Sequence, residues 1–364
     1  MTDWLAVRVR NRGTSAPAAP LAAAALAIAF AVVPAAPAAA DELDELYAKA
    51  AAEGELSLYA QGPPQVYADL VRQFEARYPK LRVRVTPGRY DVIEKLDAQL
   101  KAGPPDADIV TAQTVQHLVR WRRNGLLLSY APAAAAEIPA KYKDPSGANF
   151  FPLSLYLIGS AYNADRIADA DAPRTIREFL KPEFKGRIVS TYPHDDDVTL
   201  YLYAKIVERY GWDFIAALAA QEPKYVRSHV LVGEQTASGE RPVTFDQIST
   251  FNKVKFVAPG DVPMVVFPYA IASFANSPHP NAAKLFLNFS LSKEQQERFV
   301  QRGIWSARAD VEPPSGFKPL ADYNVAADFI AFISDEGRAG ELRARFEKII
   351  GGVAGEYIST TPAR

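Results

Sequence analysis

Strand patterns alternate with helical patterns along the first third of the chain, and this alternation restricts the possible folds more than any other feature. Leu56, Leu58 and Ala60 recur every second residue, which is the period of a half-buried strand. The same analysis predicts further helices at 66–74 and 93–100 and further strands at 81–85 and 109–110. Strands and helices that alternate in this way form βαβ units around a parallel sheet. The sequence therefore predicts an α/β fold.

The first 40 residues have the pattern of a secretory signal peptide. Three arginines precede an apolar run at 21–33, and a series of small residues ends at Ala40, directly before Asp41. We predict export to the periplasm with cleavage after Ala40. The alternative, an N-terminal membrane anchor, is disfavoured because Pro34 interrupts the apolar run, which is also short for a transmembrane helix.

The composition of the chain excludes several classes of protein. Removal of residues 1–40 leaves 38 basic and 41 acidic residues, a balance that provides no electrostatic footprint for nucleic acid or for an anionic membrane. The chain contains no cysteine, which excludes disulfides, thiolate metal sites and a cysteine nucleophile. We therefore expect a free monomer in the periplasm that does not bind nucleic acid.

The sequence also lacks the common motifs of enzymes. It has no G-x-S-x-G elbow, no P-loop, no H-E-x-x-H and no G-x-G-x-x-G. A pair of catalytic carboxylates stays possible because the chain has many acidic residues. We expect a protein that is not an enzyme and that carries no cofactor.

Six short segments occur in the order that is typical of one protein family. Residues 56–78 end in the pattern F-x-x-x-Y-P, and the other segments are 106–110, 124–127, 161–163, 173–188 and 277–286. Together they resemble the extracellular solute-binding proteins of ABC importers, and among these the ferric-ion-type branch. Each segment is weak evidence by itself, and their order makes the resemblance specific.

The resemblance implies the two-lobed type II periplasmic binding protein fold. Two crossover strands, which match the apolar extended segments 153–161 and 262–271, would form the hinge. We expect the first lobe to comprise 41–152 and 266–305, and the second lobe to comprise 153–265 and 306–364.

The resemblance also implies a receptor that traps its ligand between the lobes and delivers it to the membrane permease of an ABC importer. We predict a small polar ligand, organic and anionic. The alternatives are a ferric-ion receptor and, from another class, a periplasmic enzyme on the same fold.

Ligand residues are expected in loops that follow the carboxyl ends of strands, where helix N-termini converge. In the first lobe these candidates are Gln61, Gly62, Tyr90, Asp91 and Gln113. The alternatives are a plain Gly-Pro turn after Gln61, a helix-capping role for Asp91 and simple exposure of Gln113.

In the second lobe, the candidates follow the strand predicted at 187–190. They are Thr191, Tyr192, His194 and Asp195, whereas we interpret Asp196 and Asp197 as helix caps that complement the helix dipole. Imidazole and carboxylate groups bind metals, so His194, Asp195 and Asp91 form an alternative metal site.

Three more candidates come from other parts of the chain. Phe245 occupies the position where the iron-binding relatives carry adjacent tyrosines, so it favours an organic ligand unless it belongs to the core. Arg227 suits bidentate recognition of a carboxylate or phosphate unless it is a solvated surface residue. Tyr269 lies on the returning crossover segment and is expected to line the cleft. We expect no specific partner for three histidines: His117, His229 and His279.

Overall fold

The computed structural model describes residues 36–62, 64–88, 90–249 and 253–356, with only the backbone described at 36–40, 64–66 and 90. Residues 1–35, which hold most of the predicted signal peptide, lie outside this range. Within the described residues, no helix combines the length and the apolar character that a membrane span requires.

The first part of the chain folds as the predicted series of strands and helices. The elements are α1 (Ala36–Glu53), β1 (Glu55–Gln61), α2 (Pro64–Arg77), β2 (Arg82–Gly88), α3 (Tyr90–Ala102), β3 (Ile109–Ala112) and α4 (Val115–Arg123). Strand β1 pairs in parallel with β2 on one side and with β3 on the other, so that Leu58 lies opposite both Val85 and Ile109. The prediction of an α/β fold with a parallel sheet is confirmed here.

The middle part of the chain forms a second α/β unit between two long strands. Its elements are β4 (Phe150–Tyr162), β5 (Val189–Thr191), α5 (Asp197–Tyr210), α6 (Trp212–Ala219), β6 (Lys224–Val226), α7 (His229–Ser238), β7 (Val243–Ile248), β8 (Lys255–Val257) and β9 (Met264–Ser273). Strands β5 and β6 are parallel, and a parallel bridge from Ile188 to Val243 places β5 beside β7.

The C-terminal part returns to pack on both units. Its elements are α8 (Pro280–Ser290), α9 (Lys293–Gln301), β10 (Val325–Ala326), α10 (Phe329–Ile333) and α11 (Glu336–Ile350). Helix α8 packs against α1 and α2, where the ring of Phe286 meets the fully buried ring of Phe74 edge-on at 4.9 Å between centroids. Strand β10 pairs with the start of β9, and α11 packs on α5 and α6.

Strands β4 and β9 are the two crossover strands. They pair antiparallel from Phe150 opposite Ala272 to Ile158 opposite Val265, and every residue of both strands is buried. The sheet order β2-β1-β3-β9-β4-β7 places the two α/β units on opposite sides of this pair.

The strand directions determine where a ligand site can form. Strand β3 is antiparallel to β9, β9 to β4, and β4 to β7, so β3 and β7 point in opposite directions. Gln116, which follows β3, contacts Asp197, which follows β5, so the loops beyond these two strands approach each other. Because ligand loops follow carboxyl ends in α/β sheets, both sets of predicted loops face the region between the units.

Candidate functional site

The side chain of Gln61 joins the loops that follow β1 and β3. Its Oε1 accepts hydrogen bonds from the backbone N–H of Gln113 at 2.8 Å, from the backbone N–H of Thr114 at 3.3 Å and from the Thr114 hydroxyl at 3.1 Å. Gln61 is buried, and its amide therefore fixes the path of the chain into α4. Two of the predicted ligand residues, Gln61 and Gln113, are in direct contact.

The phenol of Tyr269 anchors the same region to a crossover strand. Its hydroxyl donates to the carbonyl oxygen of Gln61 at 2.5 Å and lies 2.8 Å from the hydroxyl of Thr111. Burial raises the pKa of Tyr269 well above its usual value, so the phenol stays protonated. A Cβ atom on Gly62 would lie 3.9 Å from this hydroxyl, and the φ of +106° at Gly62 also favours glycine.

Asp91 lies on the first turn of α3, where its negative charge complements the helix dipole. Its two carboxylate oxygens would both lie 3.1 Å from a Cβ atom placed on Gly88, so the side chain folds back over the end of β2. Tyr90 begins α3, and its side chain lies outside the described part of the structure.

In the second unit, the carboxylate of Asp246 organises the end of β5. Its Oδ2 accepts from the backbone N–H of Thr191 at 2.8 Å, from the hydroxyl of Thr191 at 2.7 Å and from the hydroxyl of Ser190 at 3.0 Å. Asp246 is fully buried. Thr191, a predicted ligand residue, is therefore held in place by a residue that the sequence analysis did not single out.

Asp246 also forms a buried ion pair with His229, whose Nε2 lies 3.1 Å from Oδ1. Burial by itself lowers the pKa of His229, but the carboxylates of Asp246 and Asp196 outweigh burial and raise the pKa to about 9. The expectation that His229 lacks a specific partner was wrong. The available signal was an acidic residue inside the segment 243–248, whose first five residues are all buried.

His194 and Tyr192 lie in the loop between β5 and α5. The Tyr192 ring packs edge-on against the His194 ring at 5.4 Å and stacks on Tyr225 at 5.2 Å. Burial lowers the pKa of His194, although the nearby carboxylates of Glu347 and Asp195 act in the opposite direction. Burial of His194 therefore favours the neutral form of the imidazole.

Arg227 and Asp195 form a two-point ion pair. The Arg227 Nε lies 2.8 Å from Oδ2 of Asp195, and its Nη2 lies 3.2 Å from Oδ1. Arg227 Nη1 also contacts the backbone carbonyl of Gly355 at 3.5 Å. The positive charge of Arg227 is already matched by Asp195, so Arg227 by itself no longer argues for an anionic ligand.

A contact between α4 and α5 brings the two sets of loops together. Gln116 Nε2 donates to Oδ2 of Asp197 at 2.7 Å, and Arg343 of α11 pairs with the other oxygen of Asp197. Gln116 follows the loop of Gln113 by three residues, and Asp197 follows His194 by three. Both halves of the predicted site therefore flank this bridge.

The predicted helix caps have different roles. Asp196 caps α5, because its Oδ1 accepts from the backbone N–H groups of Val198 and Thr199 at 2.9 Å each. Asp197 lies in the first turn and instead makes the bridge to Gln116. Burial raises the pKa of Asp197.

Phe245 lies in the core. Its ring is fully buried against Phe179 at 5.3 Å and Tyr203 at 5.6 Å between centroids. Alternation along β7 places Asp246 on the opposite face of the strand. Phe245 is therefore a core residue, which was the alternative to a ligand contact. The neighbouring Asp246 is the residue that reaches the candidate site.

The described residues contain no group of three or more His, Asp or Glu side chains arranged to hold a metal ion. The alternative set of His194, Asp195 and Asp91 is thus not assembled in this part of the chain.

The other two histidines also have partners. His279 Nδ1 lies 2.9 Å from a carboxylate oxygen of Asp108, and His117 Nδ1 lies 2.9 Å from Arg120. The expectation for both was therefore wrong.

Comparison with known proteins identifies the family. Residues 69–327 match the family of bacterial extracellular solute-binding proteins. The chain belongs to this family. A probable ABC transporter periplasmic-binding protein of Sinorhizobium fredii is 30% identical over 129 residues, which cover 32% of this chain and 35% of that relative. The matched part of this binding protein thus spans about a third of the length of that curated relative.

Solved structures confirm the fold of the binding protein. The periplasmic binding protein AfuA from Actinobacillus pleuropneumoniae, with fructose-6-phosphate bound, has a TM-score of 0.67 at 20% identity, over 82% of this chain and 98% of that one. Apo ferric ion-binding protein A from Pasteurella haemolytica has a TM-score of 0.67 at 15% identity, over 81% and 98%. The predicted two-lobed fold with two crossover strands is therefore confirmed.

The ion pair of His229 and Asp246 generates a pH-dependent prediction. Because the pKa of His229 is raised from 6.5 to about 9, its stabilisation is fully present below about pH 6.5 and is lost as the pH rises through 9. The difference in free energy of unfolding between the wild type and His229→Gln should shrink by about 1–3 kcal/mol between about pH 6 and 10. Denaturant titrations at several pH values would measure it.

The matched control is His117→Gln. Burial lowers the pKa of His117, so the stability of the wild type relative to this variant should rise slightly as the pH passes 6.5, opposite in sign to His229, and should stay constant above about pH 8. A constant difference for His229→Gln would contradict the ion pair.

The bridge between Gln116 and Asp197 predicts how the lobes respond to substitution. Gln116→Ala removes a hydrogen bond to a carboxylate, which contributes about 1 kcal/mol at a partly exposed position, so the lobes should separate several-fold more often. Gln116→Glu adds repulsion against Asp197 and should open the lobes further. The radius of gyration, measured by small-angle X-ray scattering, should increase from the wild type to Gln116→Ala to Gln116→Glu. Three equal radii would show that the hydrogen bond between Gln116 and Asp197 does not hold the lobes closed.

Proposed function

We propose that this protein is the periplasmic receptor of an ABC importer and that it captures a small anionic organic ligand between its lobes. The observation that carries the proposal is the position of two helix N-termini. Helices α2 and α4 begin directly after β1 and β3, which are adjacent strands joined at their ends by Gln61. Neither helix has an acidic residue in its first turn.

The helix dipole favours an anion at these two positions. At the start of α4, Thr114 makes no side-chain capping bond, because its hydroxyl is directed to Gln61 instead. The backbone N–H groups of Val115 and His117 already donate to the carbonyl oxygens of Gln113 and Thr114, so the N–H of Gln116 is the donor that we expect an anion to contact. The acidic residues Asp91 and Asp196 occupy the N-termini of α3 and α5, so the anion is expected at α2 and α4.

An organic ligand is favoured over ferric iron by the state of the tyrosines. Iron binding by phenols requires loss of the proton, whereas the buried hydroxyl of Tyr269 donates its proton to the carbonyl oxygen of Gln61. The position of the paired tyrosines of iron-binding relatives holds Phe245 and Asp246 here. Among the structural relatives, AfuA carries a sugar phosphate, which is an anion of the expected kind.

A receptor is favoured over a hydrolytic enzyme by the geometry around His229. In a catalytic triad, the carboxylate and the nucleophile contact different ring nitrogens of the histidine. Here both Asp246 and the hydroxyl of Thr199 face the same atom, Nε2, at 3.1 and 3.4 Å. This arrangement supports an anchoring role for the histidine.

The proposal includes the cellular location and the lobes. We propose export with cleavage after Ala40, action as a monomer, and delivery of the ligand to a membrane permease. The ligand cleft would lie between the lobe of 41–152 with 266–305 and the lobe of 153–265 with 306–364.

A thermal-shift screen tests the ligand class. The panel holds sugar phosphates, phosphonates, dicarboxylates, neutral sugars, polyamines and ferric citrate. A ligand at about a hundredfold over its dissociation constant should add roughly 2.7 kcal/mol, which raises the melting temperature by a few degrees. Stabilisation by organic anions is expected, and stabilisation by ferric iron or polyamines alone would overturn the proposal.

Thr114→Asp tests the position of the anion. A carboxylate at this position caps α4 and competes for the N-terminal donors, so the affinity for the anion found in the screen should fall about tenfold or more. Thr114→Asn is the matched control, because its amide caps the helix without a charge, and it should retain most of the affinity. Calorimetric titration would show the difference, and equal affinities for Asp and Asn would place the anion elsewhere.

A further inference from the structure

A second concave site lies away from the ends of the parallel strands. A groove of about 870 Å³ is formed by the C-terminal half of α4, the segment 140–145 that precedes β4, and the residues of β10 and α10. This volume is within the range of small-molecule sites, which is about 300–1,000 Å³. The proposed cleft contains the N-terminal end of α4, whereas the groove contains the opposite end of the same helix.

One side of the groove carries four basic residues: Arg122, Arg123, Lys141 and Lys143. Only Arg122 has an acidic partner among the described residues, the buried carboxylate of Asp144 at 3.0 Å. Lys143 donates to the carbonyl oxygen of Ala135 at 2.8 Å, and Lys141 lies over the ring of Tyr142 at 5.0 Å. Three positive charges are therefore unmatched by carboxylates in this part of the chain.

The floor of the groove is apolar. Val119, Ala326 and Ile330 are buried there, and the exposed Ala331 continues the surface. The one acidic residue in the lining is Asp328, which is paired with Lys205 at 3.3 Å and with the hydroxyl of Tyr201. Asp328 is thus committed to groups outside the groove and does not offset the basic side.

We propose that this groove binds a small anionic amphiphile, a molecule with a phosphate or carboxylate head group on a short apolar body. The head group would contact Arg123, Lys141 and Lys143, since ammonium and guanidinium groups form strong charge-assisted hydrogen bonds with such anions. The apolar body would cover Val325, Ala327 and Ala331, which are partly or fully exposed, and remove their surface from water. An occupant of this kind touches both α4 and α10.

The probe for this site is hexyl phosphate, titrated into the purified full chain in a calorimeter. Inorganic phosphate lacks the apolar body and hexanol lacks the charge, so each should bind at least about tenfold more weakly than hexyl phosphate. Equal affinities for hexyl phosphate and inorganic phosphate would overturn the role of the apolar floor.

Substitutions locate the bound probe. Ala331→Glu adds a negative charge at an exposed lining position, and the double variant Arg123→Gln with Lys141→Gln removes two exposed cations, so folding should be unaffected. Each should weaken hexyl phosphate binding at least about tenfold. Lys80 is an exposed lysine outside the groove, and Lys80→Gln should leave hexyl phosphate binding unchanged.

The test also separates this groove from the proposed cleft. If hexyl phosphate binding survives both groove variants and is lost in Thr114→Asp, the probe binds in the cleft and the groove proposal is wrong. The groove proposal stands independently of the receptor proposal, because the two sites are changed by different variants. Absence of calorimetric binding at millimolar probe would likewise reject the groove as an anion site.

Discussion

The antiparallel pairing of β4 and β9 is the interaction on which the rest of the structure depends. Both strands are buried along their full length. In the sheet, β9 pairs with β3 of the first α/β unit and β4 pairs with β7 of the second. The pair separates β3 from β7 and reverses the direction between them, and a hydrogen bond from Gln116 to Asp197 brings together the loops that follow β3 and β5. The two crossover strands are also the connection between the lobes. A connection through a few strands is the arrangement that permits hinge closure.

Within that frame, buried polar side chains fix the loops of the candidate site. Gln61 and Tyr269 hold the loops after β1 and β3, and Asp246 holds the end of β5. A buried amide or carboxylate without partners is costly, and here each has several. The loops are thus positioned before a ligand arrives.

The sequence predicted the candidate loops better than the roles of their residues. Gln61 and Gln113 do lie together, as their positions after predicted strands indicated, and Tyr269 joins them from the returning crossover strand. Phe245 and Asp246 show the limit, because two neighbours on a strand have opposite faces and local pattern cannot tell which face is the core. The partners of Arg227 and His229 come from segments 32 and 17 residues away, so neither pair was visible in the local sequence.

The sequence by itself determined the α/β class, the order of strands and helices, and the segments that become the crossover strands, because hydrophobic period is a local property. The tertiary structure alone decided which charges are free and which are matched. It paired Arg227 with Asp195, His229 with Asp246 and Gln116 with Asp197, and it gathered the basic residues of the groove beside α10. These outcomes depend on distances between segments that are remote in the chain, and such distances exist only after the lobes have packed.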